Sequence, residues 1–140
     1  LKEVSVVTSF LLRRSGEGEQ VLLLKRSGRV GTYRGKWSAV SGYLERESPL
    51  EQALLEIEEE TGLRREDVRP ISQGQPLQVL DEELGVRWTV HPFLFEALKP
   101  EAVRLDWENV EVRWVDPEEV RKADTVPGLA EALDRVLSHR

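Results

Sequence analysis

Short apolar runs broken by turn residues open the chain, and a helical spacing takes over near residue 48. Val4 to Arg13 ("VSVVTSFLLR") is rich in β-branched residues and predicts a strand. Ser15 to Gly18 ("SGEG") predicts a turn, and Gln20 to Arg26 ("QVLLLKR") the returning strand. Ser27 to Trp37 holds three glycines and predicts a loop. Ser38 to Glu45 ("SAVSGYLE") predicts a short strand leading into another loop. From Ser48 the spacing becomes helical. Ser48 suits the N-cap, Pro49 the first helical position, Glu51 completes a capping box, and Gly62 supplies the stop. At roughly 100° per residue, Leu50, Ala53, Leu54, Ile57 and Thr61 share one face. Glu56, Glu59 and Glu60 share another, because residues three and four apart stack on a helix.

Beyond the helix, Pro70 to Asp81 and Val86 to Ala97 predict two strands around "DEELG". Pro92 inside the second run argues for an edge position or a bulge. Val110 to Val115 alternates and predicts a further strand. Asp116, with Pro117 and Glu119, predicts the start of a short helix. "PGLAEALDRVL" predicts an amphipathic helix with Leu129, Leu133, Val136 and Leu137 on one stripe. Strands and helices alternate irregularly, without a repeating βα unit. The expected fold is α/β, with a mixed sheet between helices, over one domain spanning 1–140.

Composition narrows the chemistry. With 140 residues, 39% hydrophobic and no run near the roughly 20 residues of a spanning helix, a soluble domain is expected. The opening "LKEVSVV" lacks the zones of a signal peptide. Cysteine is absent, which excludes disulfides, thiolate metal sites and a cysteine nucleophile. These features fit a cytoplasmic protein. The net charge of −6 argues against a duplex-DNA binder, which needs a basic face to displace counterions. The charges are also segregated. Val21 to Leu44 contains five bases (Lys25, Arg26, Arg29, Arg34, Lys36) and no acid, whereas Glu45 to Glu60 contains seven acids and one base, Arg46. An anionic ligand held partly by cations and partly through a bridging metal needs both.

An acidic helix face is commonly just solvated. Here Glu56, Glu59 and Glu60 converge, and they follow a Gly-containing strand-to-loop turn and a basic loop. All-oxygen donors suit Mg²⁺ or Mn²⁺, and no His or Cys stands nearby to suit zinc.

"WSAVSGYLE" through "LEIEEETGL" resembles the Nudix box. That family's pattern is a Gly, five residues, a Glu, seven residues, then Arg-Glu-apolar-x-Glu-Glu-x-Gly-apolar. Glu47, Glu56, Ile57, Glu59, Glu60, Gly62 and Leu63 all match, and Trp37 with the turn at Ser41 and Gly42 resembles the usual lead-in. There are two departures. Only four residues separate Gly42 from Glu47, one fewer than the pattern, and Leu55 stands where the family has Arg. The resemblance implies a Nudix-like α/β/α sandwich. It also implies Glu56, Glu59 and Glu60 as ligands of Mg²⁺ or Mn²⁺, with the carbonyl of Ser41 as a further one. Glu47 would brace the loop, in the family through the Arg that is here Leu55; Arg46, Arg64 and Arg65 are nearby in sequence as replacement partners. A further glutamate commonly comes from a loop before a late strand, and Glu108 matches best, with Glu111 as runner-up. Glu56 or Glu108 is the candidate base.

Arg26, Arg34 and Lys36 flank the short strand entering the box and are the candidate phosphate-binding cations. "SGRVG" lacks the ending of a P-loop. Tyr33 is the candidate for stacking on a base; Trp37, Trp88, Trp107 and Trp114 are expected mainly in the core. His91 shares its side of the strand with Phe93 and Phe95 and is expected to be structural. The expected function is metal-dependent hydrolysis of a phosphoanhydride in a nucleoside diphosphate linked to another moiety. The alternatives are a non-catalytic Nudix domain serving as ligand sensor or interaction module, and a divergent isomerase-type member. The expected partner is a nucleotide-like small molecule, with no duplex nucleic acid or membrane; a homodimer stays open.

Overall fold

A computed structural model describes all 140 residues. In chain order the elements are β1 (Lys2–Ser15), β2 (Gly18–Arg26), β3 (Trp37–Ser38), β4 (Val40–Tyr43), α1 (Pro49–Thr61), β5 (Val68–Gln73), β6 (Leu77–Asp81), β7 (Val86–Ala97), β8 (Asn109–Val115) and α2 (Leu129–Ser138). Short 3-10 turns occupy Arg65–Asp67, Pro100–Ala102 and Pro117–Arg121. No helix is long and apolar enough to cross a membrane.

The longest strands, β1 and β7, pair in parallel from Lys2 opposite Val86 to Leu12 opposite Glu96. All other pairings are antiparallel, so the eight-stranded sheet is mixed, as the irregular element order predicts. The edge of β1 away from β7 changes partner along its length. β4 holds Val6 to Ser9, and β2 holds Leu12 to Ser15. β2 then runs on past β1 to pair with β3, and β8 covers its far edge. The sheet is therefore split between β4 and β2, and the cleft described below opens beside that split.

The outer edge of β7 also has two partners, β6 along Val86 to Val90 and β5 along Phe93 to Ala97. What reads in sequence as one strand from Pro70 to Asp81 is thus two, interrupted at Gly74 to Pro76. Pro92 lies in a central strand, not at an edge. It falls between those two partners, and its carbonyl accepts from Gly74 N–H at 3.0 Å. A residue's N–H points to the same edge as its C=O, so Pro92 leaves no donor unpaired at the break.

Alternation along the strands divides the core into two layers. Val7, Leu11, Leu22, Leu24, Phe93 and Phe95 face α1, where Ala53 and Ile57 pack among them. Phe10, Leu12, Val21, Leu23, Val90 and Leu94 face α2, which contributes Leu129, Ala132, Leu133 and Val136. The result is an α/β/α sandwich, the architecture expected from the sequence. Leu129, Leu133 and Val136 are buried as the apolar stripe predicts, and Leu137 packs at its margin.

Helix α1 starts and ends where its capping residues require. Ser48 Oγ accepts from Glu51 N–H at 3.2 Å. The Glu51 carboxylate does not return the bond; it pairs with Arg65 instead, so only half of the expected box forms. At the other end Gly62 takes a left-handed φ of 77°, and its N–H reaches Glu58 O at 2.9 Å. The buried face also differs from the simple stripe. Ala53, Ile57 and Thr61 are buried, but Leu54 is only partly covered and Leu50 is exposed. The second buried line is polar: Gln52, Glu56 and Glu60, each four residues apart.

This phase of α1 separates two neighbouring apolar residues. Ile57 is fully buried and Leu55 is not. Ile57→Ala is expected to destabilise the fold by about 2–5 kcal/mol. Leu55→Arg is expected to change stability by less than about 1 kcal/mol. Urea unfolding measures both, and a larger loss at Leu55 than at Ile57 would overturn the assigned phase.

Candidate functional site

A cleft of about 370 Å³ opens beside the split in the sheet. Its acidic lining is Glu56, Glu59, Glu108 and Glu45, alongside Ser41 and Gly42. Its apolar lining includes Val6, Trp88, Val90, Val126 and Leu129. Each element supplies its part for a local reason. The capped helix α1 carries Glu56 and Glu59 to the wall, β4 ends there with Ser41 and Gly42, and Glu108 stands just before β8.

The helix approaches β4 closely because Gly42 has no side chain. A Cβ at Gly42 would lie 2.1 Å from the carboxyl carbon of Glu56 and 2.6 Å from its Cγ. Glu56 is 8% exposed and Glu60 3%, whereas Glu59 is exposed. Burial, reinforced by Glu59 and Glu108, pushes the Glu56 carboxyl up to about 7. Glu60 is raised well above the ordinary range, first by burial and then by Glu108 and Glu56. Glu108 is raised by burial and by Asp106, with Arg26 acting in the opposite sense. Three carboxyls thus share an environment that disfavours their charge.

Glu60 does not reach the open cleft. It sits behind it, where Oε1 accepts from Asn109 Nδ2 at 3.3 Å and Oε2 is buried without a partner. The structure brings Glu56, Glu59, Glu108 and Ser41 together along the cleft, with Glu60 beneath them. No three acidic or imidazole side chains are gathered tightly enough to enclose an ion as they stand. The donor set nevertheless fits a hard divalent cation. It is all oxygen, it holds an orphaned buried carboxylate oxygen, and its proton affinities are raised by burial and then by mutual repulsion, which a cation relieves.

Of the basic candidates, only Arg26 lines the cleft. Its Nε donates to Thr32 O at 2.9 Å, and burial lowers its pKa while Glu60 and Glu108 oppose that shift. Arg34 donates to Val30 O at 2.8 Å, and Lys36 pairs with Asp124 at 2.7 Å, so neither charge reaches the cleft. Tyr33 does line it, at a left-handed φ of 51°. Its hydroxyl donates to Asp81 at 2.5 Å and accepts from Trp88 Nε1 at 3.0 Å. The runner-up Glu111 is exposed beside Arg113, outside the cleft. Glu47 is exposed and makes no ion pair or side-chain hydrogen bond with Arg46, Arg64, Arg65 or any other residue, so the structure gives it no bracing contact. None of the four tryptophans is fully buried. Trp88 and Trp107 line the cleft, and Trp37 and Trp114 are each covered by an arginine. His91 is partly buried, outside the cleft, with burial lowering its pKa.

Two residues escape the sequence reading. Gln52 is fully buried and bonded to both Glu56 and the loop, and Asn109 holds Glu60. The signal for Gln52 was present: it stands four residues before Glu56, the spacing that stacks side chains on a helix. Asn109 reaches Glu60 only through the β2–β8 pairing, which no local pattern reveals.

A family model described as NUDIX domain matches residues 3–136. Among solved structures, a Nudix hydrolase from M. smegmatis, RenU, is 22% identical with a TM-score of 0.78, covering 96% of this chain and 84% of that one. The Ap4A hydrolase of C. elegans, as a binary complex, is 19% identical with a TM-score of 0.78, covering 94% and 93%. The NUDIX domain of Shewanella oneidensis NrtR, complexed with ADP ribose, is 15% identical with a TM-score of 0.70, covering 96% and 86%. At these identities the likeness shows a common fold.

The raised carboxyls set a pH dependence. In the unfolded chain a glutamate titrates near 4.5, and in the fold Glu56 titrates near 7. The native state therefore binds more protons between those values, and stability falls as pH rises from 4.5 to about 7. Glu96, Asp67 and Asp81, held below their ordinary values, act on the acid side of 4.5; His91, lowered by burial, opposes the slope below 6.5, one group against the three raised carboxyls. In chelator-treated protein the melting temperature is expected to drop by a few degrees across it. Glu56→Gln should flatten that slope. A melting temperature that climbs over the same interval in calorimetry would contradict the burial of these carboxyls.

Proposed function

The chain belongs to the Nudix family, and on that premise we propose that it is a metal-dependent pyrophosphohydrolase, cleaving a phosphoanhydride in a nucleoside diphosphate linked to another moiety. The observation that carries this reading is the mixed lining of one cleft. Carboxylates and a half-buried arginine share it with apolar and aromatic side chains. A diphosphate joined to a flat or apolar group needs both environments within a single molecule's length. The C. elegans neighbour, an Ap4A hydrolase, and the NrtR domain, complexed with ADP ribose, support a nucleotide of this class.

Glu56, Glu59 and Glu108 are the residues to hold Mg²⁺ or Mn²⁺, with Glu60 and the Ser41 carbonyl in support. When bound, such a cation neutralises charge developing on the phosphate oxygens and makes water more acidic. Arg26, held by Thr32 O in the same cleft, offers the phosphates a positive group. A general base must hold its proton near the working pH, and a carboxyl raised to about 7 suits that task. Glu56 or else Glu108, whichever of the two the cation leaves free, is therefore the candidate base. Tyr33 and Trp88 present ring surface to the substrate's other moiety, their polar atoms being bonded to each other and to Asp81.

A second reading, a ligand-binding domain without catalysis, is favoured by one observation: Glu47 has lost the partner that Leu55 cannot supply. The same experiment separates the two readings. Nucleoside diphosphate conjugates and dinucleoside polyphosphates are incubated with Mg²⁺ or Mn²⁺, and products are followed by chromatography. Hydrolysis that stops with chelator is expected. Glu59→Gln should lower kcat by about 10²-fold. Arg26→Ala should act mainly through KM, as a contact formed equally in ground and transition states does. Saturable binding without product, across the whole set and with both metals, would favour the non-catalytic domain.

A further inference from the structure

We propose that Gln52 is the positioning residue that holds the loop after β4 and aims the Glu56 carboxylate, the part expected of Glu47 and an arginine. The inference rests on the reading of Glu56 as a working carboxylate of the cleft.

Gln52 is 1% exposed, an uncommon setting for a long amide, and both its oxygen and its nitrogen have partners. Its Oε1 accepts from the backbone N–H of Glu45 and of Arg46, each at 3.0 Å. Its Nε2 donates to Glu56 Oε1 at 3.1 Å. The two backbone donors decide which way the amide faces. Only the oxygen can accept from them, so the nitrogen is turned toward Glu56. The side chain is a rigid link between the loop that follows Gly42 and the carboxylate packed over Gly42. Glu56 lies where a Cβ at Gly42 would stand, so a displaced loop and a displaced carboxylate move against each other.

The arrangement also accounts for both sequence departures. Leu55 cannot form an ion pair, and Glu47 stands exposed with no partner. A loop one residue short brings the Glu45 and Arg46 amides to the first turns of α1, where Gln52 takes them up. Burying the Gln52 amide oxygen without those two donors would be unfavourable, so Gln52 and the short loop depend on one another.

Two variants separate the halves of this role. Gln52→Leu keeps the bulk and removes all three hydrogen bonds. Gln52→Glu keeps the acceptor for the loop and, under mildly alkaline conditions, removes the donor to Glu56. Amide hydrogen exchange at Glu45 and Arg46 should accelerate in Gln52→Leu and stay close to wild type in Gln52→Glu. Mn²⁺ binding, read by electron paramagnetic resonance, should weaken in both. With a hydrolysed substrate, kcat should fall by about tenfold or more in both, and KM should change little, as for a small displacement of a reacting group. Unchanged exchange in Gln52→Leu overturns the bracing role. Wild-type Mn²⁺ binding and kcat in Gln52→Glu overturn the aiming role. If Gln52→Leu does not fold, Gln52→Glu still decides whether Glu56 depends on this donor. Because exchange and Mn²⁺ binding need no substrate, they stand even if the wild-type protein hydrolyses nothing.

Discussion

The constraint on which the rest of the molecule depends is the close approach of a carboxylate-bearing helix to a strand end that has no side chain. Helix α1 buries an apolar line, Ala53 and Ile57, and beside it a polar line, Gln52, Glu56 and Glu60. The apolar line fixes how deep the helix sits on the sheet. The polar line then has nowhere to go but against β4, and only glycine at position 42 leaves room for Glu56. Desolvation of the two carboxyls works against folding, and each raised proton affinity is a measure of that opposition. Hydrophobic burial on both faces of a long sheet supplies the stability that tolerates it.

The sheet places the remaining parts around this point. Since β1 is shared first by β4 and then by β2, two strands that are neighbours in the sheet's outline part company, and the cleft occupies the gap. Arg26 at the end of β2 and Glu108 before β8 meet at the same rim because β2 and β8 pair, with a register shift at Lys25 and Arg26. That shift brings Asn109 opposite Arg26 and within reach of Glu60. An irregularity in the ladder thereby becomes the support of a buried acid, a common use of such irregularities near functional sites.

Much of this was legible in the chain, wherever the deciding interaction is local. The α1 caps, the β-branched run of β1, the turn into β2, the alternation of β8 and the stripe of α2 follow from nearest neighbours, and the glutamate spacing led to a family that the domain match bears out. What was not legible depends on contacts distant in sequence. Arg34 and Lys36 looked like phosphate ligands because they stand in a basic loop, but the fold commits one to Val30 O and the other to Asp124. Pro92 looked like an edge or bulge residue because the rule concerns its missing donor. The fold instead leaves a gap between two partner strands at that place in a central one. Glu60 looked to share one helical face with Glu59, yet the roughly 100° between successive helical residues separates a solvated carboxylate from one that is 3% exposed.

Tyr33 shows how the mobile-looking part of the sequence is fixed. The loop from Ser27 to Lys36 is rich in glycine, and a non-glycine residue at φ 51° is strained by about 1 kcal/mol. The hydroxyl offsets this strain with a bond to Asp81 and another from Trp88, both on the β6–β7 hairpin. Burial and the bond to Asp81 push the Tyr33 phenol up to about 12, so it stays a donor at any working pH. Asp81 is in turn held by Leu84 N–H at 3.1 Å, within its own turn. The wall of the cleft made by this loop is therefore tied to the hairpin of β7, the strand that also pairs with β1. The acidic lining is tied to β1 through β4. Both parts of the cleft refer back to the one parallel pair at the centre of the sheet, which is what allows a loop and a helix far apart in sequence to keep a common geometry.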